Sequence, residues 1–146
     1  MKLSENFSLD EFTFSNTAIR LSIKNEPTPE IIENLKLVAK QLESIRNTLG
    51  EKQIKITSGY RCLLLNRAIG SSPTSAHVTG YAVDFQCPLY GTPLEVARKI
   101  IVAGYQFDQL IYEDTWVHIS FDPKMRGEVL TAKFINGKAN YTKGIK

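Results

Sequence analysis

Apolar positions along the chain recur with two different periods, and the switches between them mark out its elements. From Pro29 onward Ile31, Leu35, Val38, Leu42, Ile45 and Leu49 step by four and three, which predicts one long helix with a single core-facing stripe. Thr28 and Pro29 suit its start and Gly50 its stop. Ahead of it, Ser8 and Glu11 have the spacing of a capping box and predict a short helix through FSLDEF. Ile54 to Thr57 reads as a short strand running into SGYRC, and Leu63 to Ile69 as a helix closed by Gly70. Residues 70–80, GSSPTSAHVTG, are rich in Ser, Gly, Thr and Pro and are expected to form a loop.

Beyond that loop the period falls to two. Tyr81, Val83 and Phe85 alternate with Ala82, Asp84 and Gln86, so the larger residues should face the core and Asp84 the opposite side. Thr92 and Pro93 start a further helix with Leu94, Ala97, Ile100 and Ile101 on its apolar side and Gly104 near its end. QLIYE (109–113) and WVHISF (116–121) are separated only by Asp114 and Thr115, which predicts a tight hairpin. VLTAKF (129–134) and the residues after Asn136 and Gly137 predict a second hairpin. The order of elements implies an α+β fold, a central antiparallel sheet packed by helices.

With 146 residues, 42% hydrophobic and 23% charged, the chain has the profile of one ordinary domain, taken as residues 1–146. A domain of this size buries enough surface to fold without a disulfide frame or a structural metal. Cys62 and Cys87 are too sparse for a disulfide scaffold and read as reduced thiols, with a single bridge as the alternative. No stretch approaches about 18 apolar residues, and MKLSENFSLDEF lacks the apolar region of a secretory signal. A protein that is cytoplasmic as synthesised, with no membrane insertion, is therefore expected.

The net charge of +3 is weak for a nucleic-acid binder, but it is unevenly placed. Residues 122–146 carry Lys124, Arg126, Lys133, Lys138, Lys143 and Lys146 against Asp122 and Glu128, a net of +4 that leaves the first 121 residues at −1. A solvated edge is the expectation, over a patch attracting an anionic polymer such as nucleic acid or cell wall.

The chain's two histidines are candidate metal ligands, because catalytic zinc takes imidazole and carboxylate from three protein residues and keeps a fourth position for water. His77 lies in SAHVTGYAVD, seven residues before the outward-facing Asp84, with Gly80 able to turn the chain between them. In WVHISF the apolar residues Val117, Ile119 and Phe121 share a face, so Trp116, His118 and Ser120 project from the other. If Asp114 and Thr115 are the whole turn, Glu113 pairs with Trp116 and stands diagonal to His118, at roughly 7–8 Å between backbones. That suits a general base beside a metal. Asp114 points away and is the second choice. Arg61, at the end of a strand, has the planar fork that holds a carboxylate in two parallel hydrogen bonds.

SGYR, then Ser75, His77, Gly80, Ala82 and Asp84 in the pattern SxHxxGxAxD, then Trp116 and His118 as Trp-x-His, together resemble the zinc D-alanyl-D-alanine carboxypeptidase family. That family includes peptidoglycan L,D- and D,D-peptidases and phage endolysins, and its fold is shared by the Hedgehog signalling domain. The motif-bearing part is about residues 55–121, and SLDEFTFSNTA also resembles the phage-like branch. The resemblance implies one zinc ion held by His77, Asp84 and His118. It implies that Arg61 binds a carboxylate of a peptidoglycan peptide, that Ser75 braces the site or the substrate, and that Trp116 forms a cleft wall. Many relatives carry the catalytic acid three residues before the last histidine, where this chain has Thr115. In the phage-like branch the acid closes the preceding strand, as Glu113 does.

The expected activity is zinc-dependent hydrolysis of amide bonds in peptidoglycan stem peptides, by a D-Ala-D-Ala carboxypeptidase or an endolysin-type endopeptidase. The alternative is a non-catalytic cell-wall-binding module that retains fold and metal. The expected partner is a peptidoglycan peptide and not nucleic acid, the expected state a monomer, and the expected route to the wall lysis or a holin.

Overall fold

The first part of the chain is helical, and each start carries its cap. In the computed structural model, which describes residues 1–145, Ser8 and Glu11 close the capping box of α1 (Leu9–Thr13). Lys146, counted above with the basic side chains, lies outside the described residues. Ser15 accepts from the Ala18 N–H to open α2 (Asn16–Arg20), a helix too short to show a period in sequence. In α3 (Pro29–Thr48), Thr28 accepts from the Ile31 N–H, and Leu35, Val38, Leu42 and Ile45 are buried along the predicted stripe.

β1 (Lys55–Ser58) and α4 (Leu63–Ile69) follow, the helix ending on Gly70 in the left-handed region. The 70–80 segment, expected to be a loop throughout, contains one helical turn, α5 (Ala76–Thr79). Ser75 opens that turn by accepting from the His77 N–H, and Gly80, at φ 82°, closes it. A run this short carries no apolar period, so only its cap residues announce it.

β2 (Ala82–Gln86) precedes α6 (Pro93–Val102), whose capping box joins Thr92 and Glu95. α6 buries Val96, Ala97 and Ile100, whereas Ile101, expected on its apolar side, is 40% exposed. Packing on the sheet rotates the buried arc to include Val96 and leaves Ile101 at the rim. β3 (Gln109–Glu113) and β4 (Trp116–Ser120) form the predicted hairpin, with Asp114 taking the positive φ of 60° that its turn requires. β5 (Glu128–Ile135) and β6 (Lys138–Lys143) form the second.

The six strands make one sheet in the order β1-β2-β4-β3-β5-β6. Every neighbouring pair is antiparallel except β3 and β5, so the antiparallel sheet that was expected includes one parallel pair and is mixed. Both edges of β4 are already taken, by β2 and β3. The chain therefore crosses the start of β3 and leaves alongside it. Arg126 pins this crossing by a forked pair with buried Asp108, Nε to Oδ1 and Nη2 to Oδ2 both at 2.9 Å.

The sheet separates two environments. On one face Val83, Phe85, Leu110, Val117 and Ile119 are fully buried and join residues of α1, α3 and α6 in a single core. The opposite face carries Asp84, Glu113, His118 and Ser120 and forms the floor of a cleft. Cys62 and Cys87 are free thiols. Lys133, Lys138 and Lys143 are exposed on the β5–β6 hairpin, where strand alternation divides them between the two faces instead of gathering them into one stripe. Among the described residues no helix is long and apolar enough to cross a membrane.

Candidate active site

Strand register brings the candidate residues together. Asp84 of β2 pairs with His118 of β4, whose other neighbour is Ile111 of β3, and Glu113 pairs with Trp116 at the hairpin end. His77 arrives from α5, just before β2. Arg61 leaves β1 through Gly59 and Tyr60, and its N–H donates to the His77 carbonyl at 3.1 Å. The resulting cleft, about 710 Å³, is lined by Arg61, Ser75, His77, Asp84, Glu113, Trp116 and His118 among others. Asp114 is exposed in the turn and is not part of it.

Although they project away from the core, His77, Glu113 and His118 are only 2%, 9% and 8% exposed. The cleft walls account for this: the segment leading into α5 stands on one side and Leu130, Phe134 and Tyr141 of the second hairpin on the other. Trp116 stacks at a tilt on Phe134, with ring centroids 5.9 Å apart.

His77, Asp84 and His118 each offer one ligand atom, and these atoms lie within 4.8 Å of one another. Asp84 Oδ1 is 3.3 Å from His77 Nε2 and 2.9 Å from His118 Nδ1. Ligand atoms around a tetrahedral zinc at its usual bond lengths stand about 3.3–3.6 Å apart, so the two Asp84 distances are near that spacing. The donor chemistry fits as well. His77 Nδ1 donates to the Gly59 carbonyl at 2.7 Å, an oxygen that can only accept, which leaves Nε2 with its lone pair facing Asp84.

Electrostatics agree with this assignment. Burial pushes the His77 imidazole below its ordinary pKa, with the Asp84 charge pulling the other way, so the ring is held toward the neutral form that ligates. Burial alone would raise the Asp84 carboxyl, but the adjacent imidazoles, with His118 Nδ1 in hydrogen-bond reach at 2.9 Å, hold it well below the usual carboxylate range. Glu113 behaves oppositely. Burial first, and then the Asp84 charge, push its carboxyl up to about 7. Burial lowers the Arg61 guanidinium, against the pull of Asp84 and Glu113.

The raised Glu113 carboxyl has a measurable consequence in metal-free protein. Its folded pKa lies above its unfolded one, so its stabilising contribution is fully present below about pH 4.5 and is lost as pH rises through about 7. The difference corresponds to about 3 kcal/mol at most. Denaturant melts of chelated protein from pH 4 to 8 should show wild type losing that amount relative to Glu113→Gln. Parallel pH profiles for the two would contradict the burial of this carboxyl.

Sequence reasoning missed the backbone that holds the candidate ligands. A Cβ on Gly59 would stand 2.8 Å from the Phe12 Cα, so only glycine allows α1 to approach the strand that presents the carbonyl to His77. Asn25 fixes the following turn, donating to the Thr13 and Tyr60 carbonyls at 2.9 and 2.8 Å and accepting from the Cys62 N–H at 2.8 Å. Buried Asn66 donates to the Ser72 carbonyl at 2.8 Å and braces the segment that leads into His77. Gly59→Ala should destabilise the protein by about 1–3 kcal/mol and weaken zinc affinity by about 10–100-fold. Thermal melts and a zinc titration check both, and an unaltered affinity would remove the Gly59 carbonyl from the site.

Two imidazoles and a carboxylate that can hold a metal, beside a second carboxylate able to exchange a proton near neutrality, form the arrangement of a metal-dependent hydrolase. The chain belongs to the peptidase M15 family: a family model described as Peptidase M15 matches residues 5–120. This is a zinc D-Ala-D-Ala carboxypeptidase-like family, as the motifs implied, and the match extends well before the motif-bearing part. It ends with β4, so the β5–β6 hairpin that walls the cleft lies beyond it. No curated protein is found to match the chain.

Proposed function

We propose that this chain is a zinc peptidase that hydrolyses amide bonds in peptidoglycan stem peptides, as a D-alanyl-D-alanine carboxypeptidase or an endolysin-type endopeptidase. The observation that carries the reading is the His77–Asp84–His118 set on one cleft floor with Glu113, a carboxyl pushed up to about 7. Zinc, when bound by these three residues, polarises a carbonyl as a Lewis acid and lowers the pKa of water toward 7.

The remaining work falls to the chain's own side chains. Glu113 takes the proton of the attacking water and passes it to the departing amine, roles suited to a carboxyl that exchanges protons near neutrality. Arg61 lines the same cleft and feels the charges of Asp84 and Glu113; its fork binds a substrate carboxylate. Ser75 acts through α5, capping the turn that carries His77, and so serves as a positioning residue. Trp116 presents an aromatic wall against which the peptide lies.

A non-catalytic wall-binding module would be favoured by an absent or misdirected Glu113. Here that side chain faces the cleft, which favours catalysis. Mass spectrometry of purified peptidoglycan after incubation with zinc-loaded protein tests the reading. Release of D-alanine or stem fragments, abolished by a chelator, is the expected result; intact muropeptides would count against it.

A further inference from the structure

Asp84 and His118 lie midway along the cleft floor, and His77 of α5 stands beside Asp84. Register sets the order: Glu113 faces Trp116 at one end, Asp84 and Ile111 flank His118 in the middle, and Ala82 and Gln109 flank Ser120 beyond. Alternate residues of a strand are about 6.5–7 Å apart, so Trp116 and Ser120 stand about 13 Å apart with His118 between them. The cleft continues past Ser120 to Asp122, Lys124 and Arg126, and its volume is about 710 Å³. Even at the roughly 30 Å³ that one water occupies, the dozen or so non-hydrogen atoms of a dialanine fill no more than about 360 Å³. A free dipeptide would leave half of the cleft to solvent.

Ser120 is the uncommitted group on that far side. It is 1% exposed, and its Oγ has no hydrogen-bond partner. Its polar neighbours are engaged: Gln109 Nε2 donates to Glu128 Oε1 at 2.6 Å, Arg126 is forked onto Asp108, and Asp122 Oδ1 accepts from the Lys124 N–H at 3.0 Å. A buried hydroxyl without a partner is unfavourable, and in a cleft a ligand can satisfy it. A hydroxyl both donates and accepts, and the cleft-lining Asp108 and Asp122 are balanced by Lys124 and Arg126. The complement is therefore a neutral peptide amide.

We propose that Ser120 is a substrate-binding residue of a subsite beyond the metal ligands, and that the site takes a peptide extending past His118 on both sides in preference to a free dipeptide. This rests on the peptidase reading and deepens it by assigning the length of substrate.

Trp116 is the only tryptophan of the chain and lines the cleft, so its emission reports occupancy without turnover. Zinc-loaded Glu113→Gln protein would be titrated with D-alanyl-D-alanine and with a synthetic stem pentapeptide. The pentapeptide should bind at least tenfold more tightly, and adding Ser120→Ala should remove most of that difference while leaving dipeptide affinity unchanged. In the wild-type background Ser120→Ala should lower kcat/KM for the pentapeptide about tenfold with no loss of melting temperature, because an unsatisfied hydroxyl is removed. Equal affinities for the two peptides, no pentapeptide response, or an indifferent Ser120→Ala would each overturn the proposal. Failure of the peptidase reading would instead appear as absent hydrolysis by wild type, and the titration, which needs binding alone, still decides the role of Ser120.

Discussion

Exchanging Glu113 for glutamine is expected to lower turnover of a stem peptide by about 10²–10⁴-fold while leaving zinc content unchanged, the range that a positioned acid or base contributes. The substitution keeps shape and hydrogen-bonding reach and removes only the exchangeable proton. Glu113 sits at 9% exposure, so a neutral amide there should fold at least as well as the carboxylate near neutrality. Its carboxyl, at about 7 without metal, would fall on zinc binding because a nearby cation favours the ionised form, so the acid limb of the activity profile should lie below pH 7. Asp114, exposed in the hairpin turn, provides the internal control. Asp114→Asn should change kcat/KM by less than about twofold, since a surface carboxylate outside the cleft stabilises no transition state. Steady-state kinetics on a defined stem peptide separate the two. Loss of turnover in Asp114→Asn with retention in Glu113→Gln would reverse the assignment of the base.

Much of this site was legible because strands alternate. The apolar rows Val83–Phe85 and Val117–Ile119 place Asp84 and His118 on the other face, and a two-residue turn then dictates that Glu113 meets Trp116. Helix caps were equally readable, since Thr28, Thr92 and Ser8 announce themselves through spacing alone. Tertiary packing decided what was missed. Nothing local says that β5 will run parallel to β3; that follows from both edges of β4 being occupied. With β5 and β6 unplaced, the wall of Phe134 and Tyr141 could not be foreseen, nor could the burial of the side chains beneath it. The Gly59 carbonyl that orients His77 belongs to the backbone, so its role is visible in sequence only as a glycine in SGYR. Ile101 shows the limit of a helical stripe: the rim of the arc is set by what the helix packs against.

The second large effect concerns the metal itself. Outer-shell changes around a zinc ligand cost about 10–100-fold in affinity, and removing one of three protein ligands should cost more. His118→Ala is therefore expected to leave less than about a tenth of the bound zinc and no measurable hydrolysis, and His77→Ala likewise. The fold should survive, because His118 projects into the cleft and its deletion leaves Val117 and Ile119 in the core untouched. Zinc bound only to the native state also stabilises it by mass action, so wild type should melt higher with zinc than with chelator and His118→Ala should not.

Metal analysis of purified, zinc-equilibrated protein reads the His77–Asp84–His118 set itself. About one zinc per chain is expected in wild type, and close to none in a His118→Ala protein with an unaltered circular dichroism spectrum. Equal zinc in the two, or none in either, would remove these three residues as the metal site.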